Sequence, residues 1–438
     1  MSTLAQLPGT DAAADGSVAD QLEPLLTTLF EEPPPVEFEF WDGSTFGERR
    51  RGQIRFRSPD VLRRILWSPD ELGISRAYVA GEIDATGNVA ELLRALQQAI
   101  GVGGTSRLKV AAEAARAFRV AGAFGAPPPV PAEEILPRGI RHSVQRDRQV
   151  VSHHYDVGND FYELVLGSAM TYSCARFAST GMTLAEAQAA KHELICRKLG
   201  LDAVRAEGPR RRLLDVGCGW GTMAIHAATE HDVDVVGVTI SAEQAAYARR
   251  RVAELGVEDR VDIRVQDYRE ISDGPFDAIS SIGMAEHVGK KRMPLYFDRL
   301  YDLLTPGGRL LNHAISSVGG SRLGRRSFVY RYVFPDGELL DVGDTVRYME
   351  SAGFEVRDVE NLREHYAETL RRWVANLEDR WDTAVDLVGE ARARVWLLYM
   401  SGSVNGFEDA GLQLNQTLGV RLHDGGRSDM PMTRVDWG

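Results

Sequence analysis

The sequence predicts a mainly parallel α/β sheet with helices on both faces, preceded by a smaller α+β domain. Two observations carry this. From about residue 205, buried apolar runs alternate with helical stretches, which is the rhythm of strand–helix–strand units. Before that point, short alternating runs are mixed with helices, and the proline-rich Pro127–Pro131 closes the region. A chain of 438 residues is also too long for one ordinary domain.

Taken in order, residues 1–20 are rich in Ala, Asp and Gly and read as a flexible tail. Residues 21–120 form the N-terminal domain, suited to lipid capture or dimerisation. It opens with a helix over Gln21–Phe30 that Pro33-Pro34-Pro35 stops. VEFEFWDG alternates apolar and acidic residues and reads as a strand ending in an Asp42-Gly43 turn. Gln53–Arg57 is a second short strand, with helices near 59–67 and 88–100. Ser106–Val120 is Ala-rich and amphipathic, carrying Arg107, Lys109, Arg116 and Arg119. It reads either as a solvated connecting helix or as a membrane-surface helix. Residues 121–140 form a Pro/Gly linker, and residues 141–430 form the second domain. Its strands are expected at Leu213–Val216 and at 233–240, 260–267, 276–284 and 308–316. Sheets of this kind bind ligands at the carboxyl ends of their strands.

Composition narrows the partners. Hydrophobic residues make up 44% and charged residues 26%, a globular balance, and the net charge of −12 argues against nucleic acid. The three cysteines, Cys174, Cys196 and Cys218, form no CxxC pair, so neither a disulfide framework nor a structural zinc site is expected. His153 and His154 are adjacent on an extended segment and point apart, so no metal is expected there. No signal-peptide pattern opens the chain and no run of apolar residues is long enough to span a bilayer. The expected location is the cytoplasm.

The string LLDVGCGWG runs from a strand into a helix, with Asp215 followed by Gly217, Gly219 and Gly221. Glycines there let backbone approach a ligand closely. The spacing differs from the dinucleotide fingerprint and lacks the P-loop lysine. It matches motif I of class I S-adenosylmethionine (SAM)-dependent methyltransferases. The next strand ends VGVTISAEQ, where Ser241 and Gln244 form a capping box. Thr239 stands where most such enzymes carry an acidic residue for the ribose, so Thr239 and Gln244 are candidates for that contact. Asp267 and Tyr268 end the third strand. They are candidates to bind and stack on adenine, unless Asp267 only caps a turn.

Six ordered strings then occur at matching spacing: HHYDVGNDFYELVLGSAMTYSCARF, LLDVGCGWG, VVGVTISAEQ, QDYRE, SIGMAEHVG and LLNHAIS. Together they resemble the cyclopropane-fatty-acyl-phospholipid synthase and mycolic acid cyclopropane synthase family, over roughly residues 140–422. The long N-terminal region is similar to an actinobacterial subgroup that forms 10-methylene chains on oleoyl phospholipids.

The resemblance implies the chemistry and its residues. SAM methylates a cis alkene, and a bound bicarbonate removes a proton from the resulting carbocation. The implied bicarbonate shell is the Cys174 backbone N–H, Glu286, His313, the Ile315 backbone N–H and Tyr366. Tyr172 and Ser173 are implied contacts to the methionine end of SAM, and Thr171–Phe177 is expected to fold over it as a lid. Two departures stand out: Ala285 where many members have Phe, and Ser403 where some have Cys. Loss of a proton from the new methyl gives a cyclopropane, whereas a hydride shift first gives a methylene branch. The sequence leaves that choice open and overall resemblance favours the branch.

A phospholipid substrate implies peripheral contact with the inner face of the membrane. Three basic clusters are candidates for a headgroup rim: Arg138, Arg141, Arg146 and Arg148; Lys290, Lys291 and Arg292; and Arg322, Arg325, Arg326 and Arg331. A homodimer and a partner reductase are open partners. The competing readings are a small-molecule O- or N-methyltransferase, which needs no bicarbonate shell, and a catalytically silent lipid-binding protein, which needs neither Glu286 nor His313.

Overall fold

The computed structural model describes residues 16–30, 33–99, 113–114, 125–135, 146, 157–202, 208–319 and 324–435. The chain divides into two compact units, Met1–Pro131 and Ala132–Gly438.

In the first unit, α1 (Val18–Leu29) begins earlier than the expected tail allows. Ser17 and Asp20 form a reciprocal capping box that satisfies the first free amides, so residues 18–20 join the helix. The strands β1 (Glu37–Glu39), β2 (Thr45–Phe46) and β3 (Gln53–Phe56) follow. Gly43 turns β1 into β2 with φ +83°. Then come α2 (Asp60–Trp67), α3 (Glu71–Val79), β4 (Ile83–Thr86) and α4 (Val89–Ala99). Helix α3 was not anticipated, because Gly73 interrupts its pattern. The sheet order is β2-β1-β3-β4, and Leu22, Phe30, Phe38, Phe40 and Leu62 form its core. Of the Ser106–Val120 segment only Glu113 and Ala114 lie within the described residues.

The second unit carries α5 (Asn159–Leu166), α6 (Leu184–Leu199), β5 (Arg211–Val216), α7 (Thr222–Glu230), β6 (Val233–Thr239), α8 (Ala242–Glu254) and β7 (Val261–Val265). It continues through β8 (Phe276–Ile282), α9 (Ala285–Val288), α10 (Met293–Asp302), β9 (Leu304–Ser317), α11 (Phe328–Tyr332) and α12 (Val342–Ser351). It ends with β10 (Glu355–Asn361), α13 (Arg363–Asp379), α14 (Trp381–Val388), α15 (Glu390–Glu408) and β11 (Leu412–Val420). The sheet order is β7-β6-β5-β8-β9-β11-β10. Strands β5 to β9 are mutually parallel, and β11 runs antiparallel to both β9 and β10. This is the class I methyltransferase fold.

All five expected strands are present. The chain moves outward from β5 through β6 to β7, then returns to lay β8 on the other side of β5. A crevice therefore opens at the carboxyl ends of β5 and β8. Two apolar clusters cover the sheet, one around Ile195, Ala224 and Ala248, the other around Tyr296, Phe297 and Leu310.

Candidate active site

Strand β5 ends in Asp215-Val216 and turns through the glycine loop into α7. Gly217 and Gly219 have φ of +76° and +54°, a region that disfavours any Cβ. The amides of Gly217 and Cys218 both donate to the Val238 carbonyl at 2.9 Å, pinning the loop to the end of β6. A cavity opens here, walled in part by Asp215, Gly217, Gly219, Thr239, Gln244, Asp267 and Tyr268. Tyr172 and Ser173 complete it from the segment before α6.

Gly221 lies outside that wall. Its φ is +82°, and a Cβ there would sit 2.9 Å from Ala248 Cβ. With no side chain there, the start of α7 can lie close to α8. The capping box is also only half formed. Ser241 Oγ accepts the Gln244 amide at 3.2 Å, but Gln244 Oε1 accepts from the Thr239 hydroxyl at 2.9 Å. The Thr239–Gln244 pair thus presents a linked polar edge to the cavity. Asp267 does both of the things considered for it. It caps the turn at Arg269 and lines the cavity, while the Arg269 guanidinium holds its carboxylate at 2.6–2.7 Å. Tyr268 is buried edge-on against Tyr296, with centroids 5.0 Å apart.

The sequence reading missed Lys191. It sits on α6, fully buried, in the cavity wall. Its Nζ donates to Ser173 Oγ at 2.9 Å and meets His192 Nε2 at 3.0 Å. Burial pulls its pKa down to about 7, opposed by Cys174 and Asp215. Asp215 is pushed up to about 6 by burial, opposed by Ser280 and Lys191. Ser280 Oγ donates to Asp215 Oδ1 at 2.7 Å, while Oδ2 is buried with no partner. In the sequence Lys191 reads as an ordinary solvated helix lysine, and no local signal marks it.

A second polar nook is built where β8 stops. Ile282 is opposite His313, and the Gly283 amide donates to the His313 carbonyl. Two residues further, the Ile315 amide has run past the end of β8. The Glu286 carboxylate takes its place, accepting that N–H on Oε1 at 2.7 Å. Glu286 is partly exposed as a residue, yet its Oε2 is sealed from solvent with no partner. Burial pushes its pKa up to about 7.

His313 is oriented from behind. Lys198 Nζ donates to Gln416 Oε1 at 2.9 Å. Lysine can only donate, so the amide must turn its Nε2 toward His313 Nδ1, 3.3 Å away. Nδ1 therefore accepts, and the proton sits on Nε2. Burial holds the ring well below the usual imidazole pKa, hence neutral. Nε2 is buried and has no partner.

Hydrogen bonds tie the remaining expected residues to β11, the strand beside β9. Leu414 is opposite Ile315, and its carbonyl accepts the Leu362 amide at 2.8 Å. The Leu362 carbonyl in turn accepts the Tyr366 amide at 3.1 Å and the Cys174 thiol at 3.7 Å. Burial raises the Cys174 pKa far out of reach of thiolate chemistry. Tyr366 packs on Phe407 with centroids 4.7 Å apart. Aromatic rings adjoin: Tyr172 lies 5.3 Å from Trp373 and 5.8 Å from Trp396. The Tyr172 and Tyr399 hydroxyls meet at 3.3 Å, and Ser403 hydrogen-bonds Tyr399.

Comparison with known proteins decides the family. The model of the mycolic acid cyclopropane synthetase family matches residues 142–417. The chain belongs to this family. It is 41% identical over 411 residues to the probable fatty acid methyltransferase Rv3720 of Mycobacterium tuberculosis, covering 91% of this chain and 94% of that protein. It is 31% identical over 445 residues to the tuberculostearic acid methyltransferase UfaA1 of the same organism, covering 95% and 94%. Among solved structures it resembles mycolic acid cyclopropane synthase CmaA1 complexed with SAH and CTAB. That match has TM-score 0.58 and 33% identity, covering 62% of this chain and 98% of the other.

This cyclopropane synthase relative is a SAM-dependent methyltransferase, and its cavity fits that donor. The sealed, unpartnered Asp215 Oδ2 awaits a donor group, and the positive-φ glycines leave room for one.

The Ile315 amide is bonded to Glu286 and fixes that carboxylate. Two expectations are corrected. Thr171–Phe177 is a pinned wall rather than a lid. Gln188 Nε2 donates to the Ser173 carbonyl at 2.8 Å, Ala175 N to Thr369 Oγ1 at 3.0 Å and Phe177 N to His365 Nδ1 at 3.1 Å. Much of the proposed basic rim is internal pairing. Arg146 grips Asp336 bidentately, Lys290 pairs with Asp344 at 2.7 Å and Arg331 with Glu134 at 3.1 Å. Arg292 lines the cavity, while Lys291, Arg325 and Arg326 are exposed. Arg138, Arg141, Arg148, Arg322, His153 and His154 lie outside the described residues.

Proposed function

We propose that the chain methylates the cis double bond of an unsaturated phospholipid acyl chain of oleoyl type, giving a 10-methylene or cyclopropane chain. Bound SAM supplies an electrophilic methyl to the alkene, and bound bicarbonate supplies the base that removes a proton from the carbocation left on the acyl chain. The observation that carries this is a complementary pair of sealed atoms: an Nε2–H donor on His313 and an Oε2 acceptor on Glu286.

Such atoms are costly to leave unmade. A hydrogencarbonate ion offers acceptor oxygens to His313 and an O–H to Glu286. The protein would otherwise hold two orphaned groups in low dielectric. Cys174 contributes backbone to this neighbourhood rather than a nucleophile, since its thiol stays protonated. No residue need activate an alkene before attack, which agrees with the lack of an activated nucleophile in the assigned set. The rings of Tyr172, Trp373 and Trp396 offer π faces that favour positive charge. Ala285 is buried beside Glu286 and leaves more room than phenylalanine would. The fatty acid acceptor is further supported by the names of the relatives.

The reading includes a cytoplasmic enzyme that visits the inner membrane face through its exposed arginines. Among the described residues no helix is long and apolar enough to cross a membrane. The test is incubation with SAM and dioleoyl phospholipid vesicles, followed by mass spectrometry of the acyl chains. The expected product is heavier by one CH₂. Ozonolysis cleaves it if it is a methylene branch and spares it if it is a ring. Unchanged lipid, or methyl transfer to a polar small molecule instead, overturns the proposal.

A further inference from the structure

Outside the catalytic crevice, α6 and α7 bring four metal-binding side chains to one spot. Cys196 Sγ, a His226 nitrogen and a His231 nitrogen lie within 4.8 Å of one another. Glu193 stands one turn before Cys196 on α6, and its Oε2 bonds both His231 Nε2 at 3.0 Å and His226 Nε2 at 3.4 Å. We propose that Glu193, Cys196, His226 and His231 form a binding site for a zinc-like divalent transition metal.

The donor set is the first argument. One thiolate, two imidazoles and one carboxylate suit tetrahedral zinc and exclude hard oxygen-seeking cations. Geometry is the second. Tetrahedral zinc with Zn–N near 2.0–2.1 Å and Zn–S near 2.3 Å sets its ligand atoms about 3.3–3.6 Å apart. The ligand atoms of Cys196, His226 and His231, all within 4.8 Å of one another, stand close to that spacing, and the His226 and His231 ring centroids are 6.3 Å apart. Position is the third. His231 is the C-cap of α7, where unpaired carbonyls favour a cation. The side chains of His226 and His231 are only 16% and 7% exposed while Glu193 is 31% exposed, so the site is shielded but open through Glu193.

The metal would clamp α6 to α7. Lys191 and His192 of the cofactor cavity wall lie within one turn of Glu193, and the His192 ring is 5.6 Å from that of His226. Occupancy therefore stiffens one wall of the cofactor cavity.

The probe is Co²⁺ added to chelator-treated, tag-free, full-length protein. One equivalent should bind with the intense absorption of a tetrahedral ion and a sulfur-to-cobalt charge-transfer band, and Zn²⁺ should displace it. Cys196→Ala should abolish the charge-transfer band and weaken binding at least tenfold. His423→Ala, at a surface histidine paired with Asp429, should change nothing. Should C196A fail to fold, the His226→Gln/His231→Gln double variant carries the same test. A purely octahedral spectrum, or equal binding by wild type and either variant, overturns the site. Metal bound to wild type raises the melting temperature, and C196A should lose that rise.

Discussion

Glu286 holds a carboxylate where water cannot solvate it, and its environment makes a signed prediction. Its folded pKa of about 7 exceeds the ordinary 4.5. Between those values the folded state keeps a proton that the unfolded state has released. This group's contribution is therefore fully present at low pH and is lost as pH rises through 7. Asp215, raised to about 6, acts in the same direction. Glu286→Gln should flatten this slope: melting at pH 8 rises by several degrees, while melting at pH 5 matches wild type. Turnover should fall by about a hundredfold or more, the scale of a lost proton-handling group, with SAH affinity unchanged in calorimetry. Turnover near wild type would remove Glu286 from the chemistry.

His313 gives a second residue-scale prediction. Gln416→Glu keeps the Lys198 contact but cannot donate to Nδ1. The ring should then shift its proton to Nδ1, and Nε2 becomes an acceptor. Nitrogen-15 NMR of labelled histidine should report Nε2–H in wild type and Nδ1–H in the variant, with loss of turnover. If wild type already carries Nδ1–H, the Lys198–Gln416 orientation of His313 is wrong. A tautomer shift with full turnover would instead remove His313 from the chemistry.

At the scale of elements, function depends on where strands stop and how closely helices approach. The pairing of β8 with β9 ends two residues short of Ile315, and that missing partner is what seats Glu286. Helix α7 approaches α8 only because position 221 lacks a side chain. Gly221→Ala should destabilise the protein by about 1–3 kcal/mol, from strained φ and the clash with Ala248. Chemical denaturation would show this, and the folded fraction should bind SAH with unchanged affinity. A large affinity loss without destabilisation would return Gly221 to the cofactor site. Strand ends and the glycine loop were legible because their patterns are local. The packing of helices α13 and α15 was not, because Trp373 and Trp396 reveal their place only when packed against Tyr172.

For the whole molecule, net charge and patterning pull apart. A total of −12 opposes anionic membranes, so any contact must be local. Arg146, Lys290 and Arg331 are held in internal ion pairs; Arg325 and Arg326 stand exposed on the surface, and their charge is the one to reverse. Reversing both to Glu should weaken binding to anionic oleoyl vesicles at least about tenfold in co-sedimentation, while SAH affinity stays constant. Equal loss of both properties, or of neither, would count against a headgroup rim at this position.

The sequence by itself determined the strand–helix rhythm, the glycine turn, the family and nine of the residues that wall the cavity. These follow from backbone periodicity and from residue types at short spacing, which a linear chain displays directly. Only the tertiary structure decided which polar atoms are sealed without partners, which arginines are consumed internally, and that Lys191 lines the cavity. Each of these depends on desolvation by segments distant in sequence, such as β11 placing Gln416 behind His313. Burial is a property of the assembled neighbourhood, and no local pattern encodes it.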